Sequence, residues 1–292
     1  MPTSSDPVPS QPLVNAPHPR SSADDLTTTA AAETLQALAE TFRRDGYVVL
    51  RGFAPESVCA ALEQATREQL AAAVAPVEYE AELGYPGAPS SRDAAGGATI
   101  RRLRQAFDRG EAFRQWAQAP ALAAVVGALL GERPRLTLAH HNCVMTKHPA
   151  YGSQTGWHRD TRYWSFERPE LVTVWLALGN EDERNGGLRV IPGSHAVELQ
   201  PGQLDAAEFL VEDHPASRPL LEASQSLSLQ RADVLFFDSR LFHSAGQNRG
   251  TAVKLSVAFA YLGASNRPVP GSRSAASPVI DLPLNCADRP AS

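Results

Sequence analysis

This chain of 292 residues predicts a mainly β fold with flanking helices, an antiparallel sandwich or barrel. Three observations carry that expectation. Helix-forming composition is concentrated ahead of Pro134, and short β-prone runs separated by Gly- and Pro-rich turns fill the chain after it. There is also neither an internal repeat nor the strand–helix alternation of a doubly wound sheet.

From Thr27 to about Arg44, Ala, Leu, Glu and Thr with Leu35, Leu38 and Phe42 at helical spacing predict a first amphipathic helix. Asp45-Gly46 breaks it, and Tyr47–Leu50 reads as a short buried strand. Pro55 opens a second helix through Ala73, with Val58, Leu62 and Leu70 on one side. Gly84–Gly97 is a loop dense in Gly, Pro, Ser and Asp, of a length uncommon in a compact domain unless disordered or functional, and a lid is expected. Two more helices are expected over Arg102–Trp116 and Ala121–Leu130, the second ended by Gly131 and Pro134. The β-prone runs are Leu136–Lys147, Leu171–Leu178, Leu188–Ile191, Ser226–Leu229, Val234–Phe237 and Ala252–Leu262. A single domain is therefore expected over residues 26–265. Residues 1–25, rich in Pro and Ser, read as a disordered or loosely packed tail without the basic and apolar regions of a secretory leader. Residues 266–292, with Pro268, Pro270, Pro278, Pro283 and Pro290, read as irregular chain.

Charge and cysteine content narrow the function classes. Lys and Arg number 27 against 32 Asp and Glu, and no basic block stands out, so nucleic acid is not an expected partner. No run approaches the roughly 18–20 apolar residues of a membrane span. Cys59, Cys143 and Cys286 lie far apart, which favours a reducing compartment over a disulfide framework. The expectation is a soluble cytoplasmic protein acting on a small molecule. The oligomeric state has no signature in the sequence.

Chemistry first shows at Trp157-His158-Arg159-Asp160. On an extended strand residues i and i+2 share a face, so His158 and Asp160 can present an imidazole nitrogen and a carboxylate oxygen together. With one further His they would make the facial triad of non-haem Fe(II) oxygenases. Alone, a His-x-Asp pair is a common chance pair. His243 is the candidate third ligand, at the start of the element that follows the apolar run Val234–Phe237 and a polar turn. Read by itself it is equally a satisfied turn histidine. In Ala252–Phe259, period-2 alternation puts Lys254, Ser256 and Ala258 on one face and Val253, Leu255, Val257 and Phe259 on the other. Lys254 then either meets an anion, such as the far carboxylate of a dicarboxylate cosubstrate, or snorkels to water.

Taken together, Phe42–Phe53, Trp157–Asp160, Asn185–His195 and Asp233–Asn248 are similar in order and spacing to the phytanoyl-CoA dioxygenase family. The resemblance runs from about Phe42 to Tyr261. It implies a double-stranded β-helix (jelly-roll, cupin-like) core that binds Fe(II) and 2-oxoglutarate and uses O2. It implies iron ligands at His158, Asp160 and His243, and a cation for the cosubstrate carboxylate at Lys254 with Ser256 beside it. Trp175 and Thr173 fall on the strand face next to the cosubstrate, and His141, Cys143 and Met145 on the inward face of 136–147. No catalytic residue beyond the metal ligands is implied. Arg162, Tyr163 and Trp164, just after the metal motif, are candidates for the mouth of the substrate pocket; Arg101 and Arg102 would suit an anionic substrate but read first as surface charges. His195 reads as a structural turn residue, and His140, His148 and His214 as ordinary. The implied activity is a dioxygenase that hydroxylates a small molecule and releases succinate and CO2.

Two features of this chain bear on that implication. Family members usually carry Arg where this sequence has Lys254; Arg grips a carboxylate with a planar fork, whereas Lys is a point charge. Arg249 is the fallback cation, in a turn that faces solvent. Related halogenases place a small residue where Asp160 stands, so the carboxylate favours hydroxylation or another oxidation over halogenation. The competing expectations are a catalytically silent jelly-roll binding protein and a redox-neutral cupin-type enzyme with Zn or Mn in the same triad.

Overall fold

The structure, a computed structural model, describes residues 29–282. The tail expected over residues 1–25 lies outside the described residues. The first helix, α1 (Thr29–Asp45), stops at Gly46, which takes a φ of +80° and turns the chain into β1 (Tyr47–Leu50). There follow α2 (Glu56–Ala71), β2 (Val77–Tyr79), β3 (Ile100–Arg104), α3 (Glu111–Ala117) and α4 (Pro120–Leu130). The β-rich part comprises β4 (Pro134–Lys147), β5 (Thr155–His158), β6 (Leu171–Ala177) and β7 (Leu188–Val190). After the short helix α5 (Arg218–Glu222) come β8 (Gln225–Ser226), β9 (Val234–Asp238), β10 (His243–Ala245), β11 (Lys254–Gly263) and β12 (Val279–Asp281).

Two antiparallel sheets face one another. The larger has the order β1-β9-β6-β11-β4-β3-β2, with β12 added beside β4; the smaller has the order β5-β10-β7-β8. This is the jelly-roll sandwich that the sequence implies. Its central strands are buried on both faces, and the two faces differ in kind. Val172, Val174 and Leu176 of β6, Val234 and Phe236 of β9, and Leu255, Val257, Phe259 and Tyr261 of β11 pack outward. They meet Phe42, Leu62, Phe113, Trp116, Leu122 and Val126 of the helical layer. The inward face carries Thr173, Trp175, Lys254, Ser256, Ala258 and Ala260 on β6 and β11. Bulky side chains thus make the helix–sheet core, and small or polar ones leave room inside the sandwich. Among the described residues no helix is long and apolar enough to cross a membrane.

Three expectations need correction. The helix predicted over Arg102–Trp116 is instead β3, a 3₁₀ turn at Ala106–Arg109 and the short α3. Arg102 is buried opposite Met145, and Arg104, two residues on and opposite Cys143, is exposed, so one side of the strand pattern is charged and the apolar alternation is masked. Arg101 and Arg102, read as surface charges, are 3% and 9% exposed. Within the segment expected to be irregular from residue 266 onward, Val279–Asp281 pairs antiparallel with Thr137–Arg135 of β4 as an edge strand.

Candidate metal centre

His158 closes β5 and His243 opens β10, and the two are direct partners across that antiparallel ladder. Their rings lie 4.3 Å apart between centroids. Asp160 is not on a continuous strand with His158, because β5 ends at His158 and Asp160 begins a 3₁₀ turn. The strand end and the turn together deliver the shared facing that a plain i, i+2 strand would have given. His158, Asp160 and His243 offer donor atoms that all lie within 4.8 Å of one another, and all three residues are buried.

Each imidazole is oriented through its other nitrogen. His158 Nδ1 lies 2.9 Å from the Gly156 carbonyl oxygen, and His243 Nδ1 lies 3.0 Å from that of Leu241. Donation to these carbonyls places the ring proton on Nδ1 and leaves both Nε2 atoms bare, the tautomer a metal requires. Asp160 is fully buried; Thr173 Oγ1 donates to its Oδ2 at 3.0 Å. Its Oδ1 is buried without a well-formed hydrogen bond, while Nε2 atoms of His141, His243 and His158 stand 2.8, 3.5 and 3.9 Å away. A buried carboxylate oxygen facing two bare imidazole nitrogens is a donor set suited to a divalent ion such as Fe(II). Burial opposes ionisation of Asp160, but His141 and His243 outweigh it and hold the carboxyl well below the usual range. Burial, then the neighbouring His243, keeps the His158 ring neutral by pushing its pKa well below the ordinary value. His141 goes the other way: Asp160 overcomes burial and raises it to about 9.

Beside the triad is a cavity of about 50 Å³ lined by His158, His243, Trp175, Met145, Lys147 and Lys254, among others. That is several times the roughly 10–15 Å³ needed to admit one water. Lys254 is buried, as its alternation requires if it is to meet an anion, and its Nζ lies 4.9 Å from the centre of the Trp175 ring. The anion it meets within the chain is Glu181, 3.1 Å away. Glu181 also accepts from Ser256 Oγ at 2.6 Å and from Trp175 Nε1 at 3.2 Å. Glu181 carries no signal of this role in the sequence. It lies in a turn after β6 that is fastened to Leu229 by paired backbone bonds, and no local pattern links it to β11.

The other candidates divide. Thr173 supports the Asp160 carboxylate. Cys143 touches Met145, with 3.5 Å between their sulfurs, and lines a second cavity of about 190 Å³ together with Arg102, His140, Tyr163 and Arg273. Arg102 borders both cavities. Tyr163 stacks on His140 at 3.9 Å, which gives that histidine a place in the pocket wall that its sequence did not suggest. Arg162 lies over the Phe209 ring at 4.0 Å, and Phe209 in turn abuts His158. Trp164 lines neither cavity: it is buried with Leu171, Ala260 and Leu262, and its Nε1 donates to the Ala139 carbonyl. Arg249 is exposed, in keeping with its place in a turn. His195 bonds the Arg43 carbonyl through Nε2, fastening its turn to α1.

The sequence pattern of the phytanoyl-CoA dioxygenase family matches residues 42–256. A probable phytanoyl-CoA dioxygenase from Caenorhabditis elegans is 22% identical over 231 residues, covering 75% of this chain and 72% of that protein. The peroxisomal phytanoyl-CoA dioxygenase of Rattus norvegicus is 26% identical over 192 residues, covering 62% of this chain. The chain thus spans about half the length of the rat protein, 52%. Among solved structures, EctD from S. alaskensis with 2-oxoglutarate and 5-hydroxyectoine superposes with a TM-score of 0.66 at 21% identity, over 89% of this chain and 83% of that one. The superposition bears on the fold. The family match, reaching from Phe42 through all three triad residues to Ser256, establishes that this chain belongs to the phytanoyl-CoA dioxygenase family of iron- and 2-oxoglutarate-dependent oxygenases.

Proposed function

We propose that the protein is an Fe(II)- and 2-oxoglutarate-dependent dioxygenase that hydroxylates a small-molecule substrate. The overall balance is R–H, O2 and 2-oxoglutarate giving R–OH, succinate and CO2. The observation that carries this reading is the convergence of two bare Nε2 atoms and a buried carboxylate oxygen on one point beside a lysine-lined cavity. His158, Asp160 and His243 would hold the iron. When bound, iron supplies a chelation point for a 2-oxo acid and the redox chemistry that activates O2.

The chain's own part is orientation, charge and exclusion of water. The Gly156 and Leu241 carbonyls fix the two rings, and Thr173 fixes the carboxylate. Trp175, Met145 and Phe237 give the cosubstrate cavity apolar walls, in which a charge is screened less than in water. The cavity behind Tyr163 and Cys143 is the room we assign to the substrate.

An anaerobic titration of Fe(II)-loaded protein with 2-oxoglutarate tests the reading. A visible metal-to-ligand charge-transfer band is expected, and it should be lost in His158→Ala. Wild-type protein that binds iron yet develops no band would exclude cosubstrate chelation here. Succinate release that requires both Fe(II) and O2 would separate the proposal from a silent binding protein and from a redox-neutral metal enzyme.

A further inference from the structure

Lys147, the last residue of β4, is the direct antiparallel partner of Lys254, the first residue of β11. Both side chains line the cavity beside His158 and His243, and each residue is only 6% exposed. Like charges directly opposite one another on a ladder repel, and burial strengthens the repulsion. Such a pair needs countercharge.

The carboxylates around the cavity are already engaged elsewhere. Glu80 pairs with Arg101 at 3.1 Å, Glu78 lies 3.5 Å from Arg102, and Glu181 pairs with Lys254 at 3.1 Å. Glu181 is further occupied by Ser256 and Trp175. Among the described residues Lys147 has no carboxylate within ion-pairing distance; its Nζ donates to the Ser153 carbonyl at 2.7 Å. An ammonium has three protons to donate, so two remain for a ligand. Lys147 is therefore the cavity's uncompensated cation.

We infer that Lys147, and not Lys254, is the principal anchor for the far carboxylate of the dicarboxylate cosubstrate, with Lys254 held as the partner of Glu181. This rests on the 2-oxoglutarate reading given above. It also makes capture of the cosubstrate proton-linked. Without an anion, burial first, and then Arg101 and Lys254, pull the Lys147 pKa down to about 7 against the opposing charge of Glu80. The charged groups facing it are Arg101 and Arg102 from β3, Glu80 from the turn after β2 and Lys254 from β11, and the imidazoles of His141, His158 and His243 share the cavity wall. An arriving carboxylate favours the ammonium, so above neutrality binding takes up a proton. Affinity should be flat below about pH 6 and should fall about tenfold per pH unit above 7.

The test is an anaerobic titration of the Fe(II)-loaded full-length protein with 2-oxoglutarate at pH 6, 7, 8 and 9, read by the charge-transfer band. Calorimetry in buffers of differing ionisation heat accompanies it. Wild-type protein is expected to take up close to one proton per 2-oxoglutarate at pH 8. Lys147→Met should raise Kd at least tenfold at pH 7 and abolish proton uptake, while the band still forms at saturation. Lys147→Arg, which keeps its charge at every pH tested, should restore binding without the pH dependence; this variant and the wild-type profile decide the matter even if Lys147→Met folds poorly. A Lys147→Met protein with wild-type Kd would overturn the inference. So would proton uptake that persists in that variant, or a greater loss of affinity in Lys254→Met than in Lys147→Met. Absence of any band in wild type is a separate failure, because it removes the cosubstrate reading itself and this inference with it.

Discussion

Asp160 divides its two oxygens between two tasks. Oδ2 takes the Thr173 hydroxyl, and Oδ1 stands before the imidazoles without a well-formed bond. Thr173→Val removes the support and keeps the shape. Its expected effect is a loss of about 10–100-fold in Fe(II) affinity, measured by chelator competition, with only about 1 kcal/mol lost from stability. Lys147 is the opposite case, a residue whose burial weakens the fold. Its pKa is depressed in the folded protein, so between about 7 and 10.5 the unfolded chain binds more protons than the folded one. Stability contributed at this site therefore rises with pH through that window, and the cost of burying the charge is largest below it. Metal- and cosubstrate-free Lys147→Met should accordingly be more stable than wild type at pH 6, on the order of 1–3 kcal/mol. The advantage should shrink by pH 9, as followed by urea melts. The triad residues could be named from the sequence because its resemblance to a known family implied them, where His158-x-Asp160 and His243 alone were ambiguous. Glu181 and Lys147 could not be assigned their roles, since an isolated acid in a turn and a lysine at a strand end carry no local sign of what the fold sets against them.

At the level of elements, the strands whose alternation is apolar on at least one face were the readable ones. β11 shows this best, with Leu255, Val257, Phe259 and Tyr261 against the helices and Lys254, Ser256 and Ala258 inside. β3 is hard to read because three of its five residues are arginines, and β5 and β10 because short strands with the polar site at one end leave too little pattern. The turn before β7 matters as much as any strand. Gly186 sits there at a φ of +76°, and a Cβ would come 2.7 Å from the Gly246 carbonyl oxygen and 3.1 Å from Lys147 Cγ. Gly186→Ala should cost about 1–3 kcal/mol in backbone strain and also push Lys147 aside. Both a lower Tm and a weaker 2-oxoglutarate titration are expected. A variant with lower Tm but an unchanged titration would show that the turn does not shape the cavity.

For the molecule as a whole, the helix–sheet core and the site occupy opposite faces of one sheet. Phe236 is fully buried on the helical side, against Phe53 at 5.9 Å. Phe236→Ala should cost about 3–5 kcal/mol in a denaturant melt and leave the 2-oxoglutarate Kd of the folded fraction nearly unchanged. The fold class was legible at this scale because composition shifts once, near Pro134, from helical to β-prone. The division into an eight- and a four-stranded sheet was not, since pairing between distant strands is written in no single segment. The triad spans that division: His158 and His243 belong to the small sheet, while Asp160 is held by Thr173 of the large one. Metal would therefore act as a rivet between layers, and its removal should let the small sheet breathe. Hydrogen exchange should show amide protection in β5, β7 and β10 climbing as metal is added, by up to the factor 1 + [M]/Kd. The amides of β6 and β11, walled in on both sides already, should hardly notice.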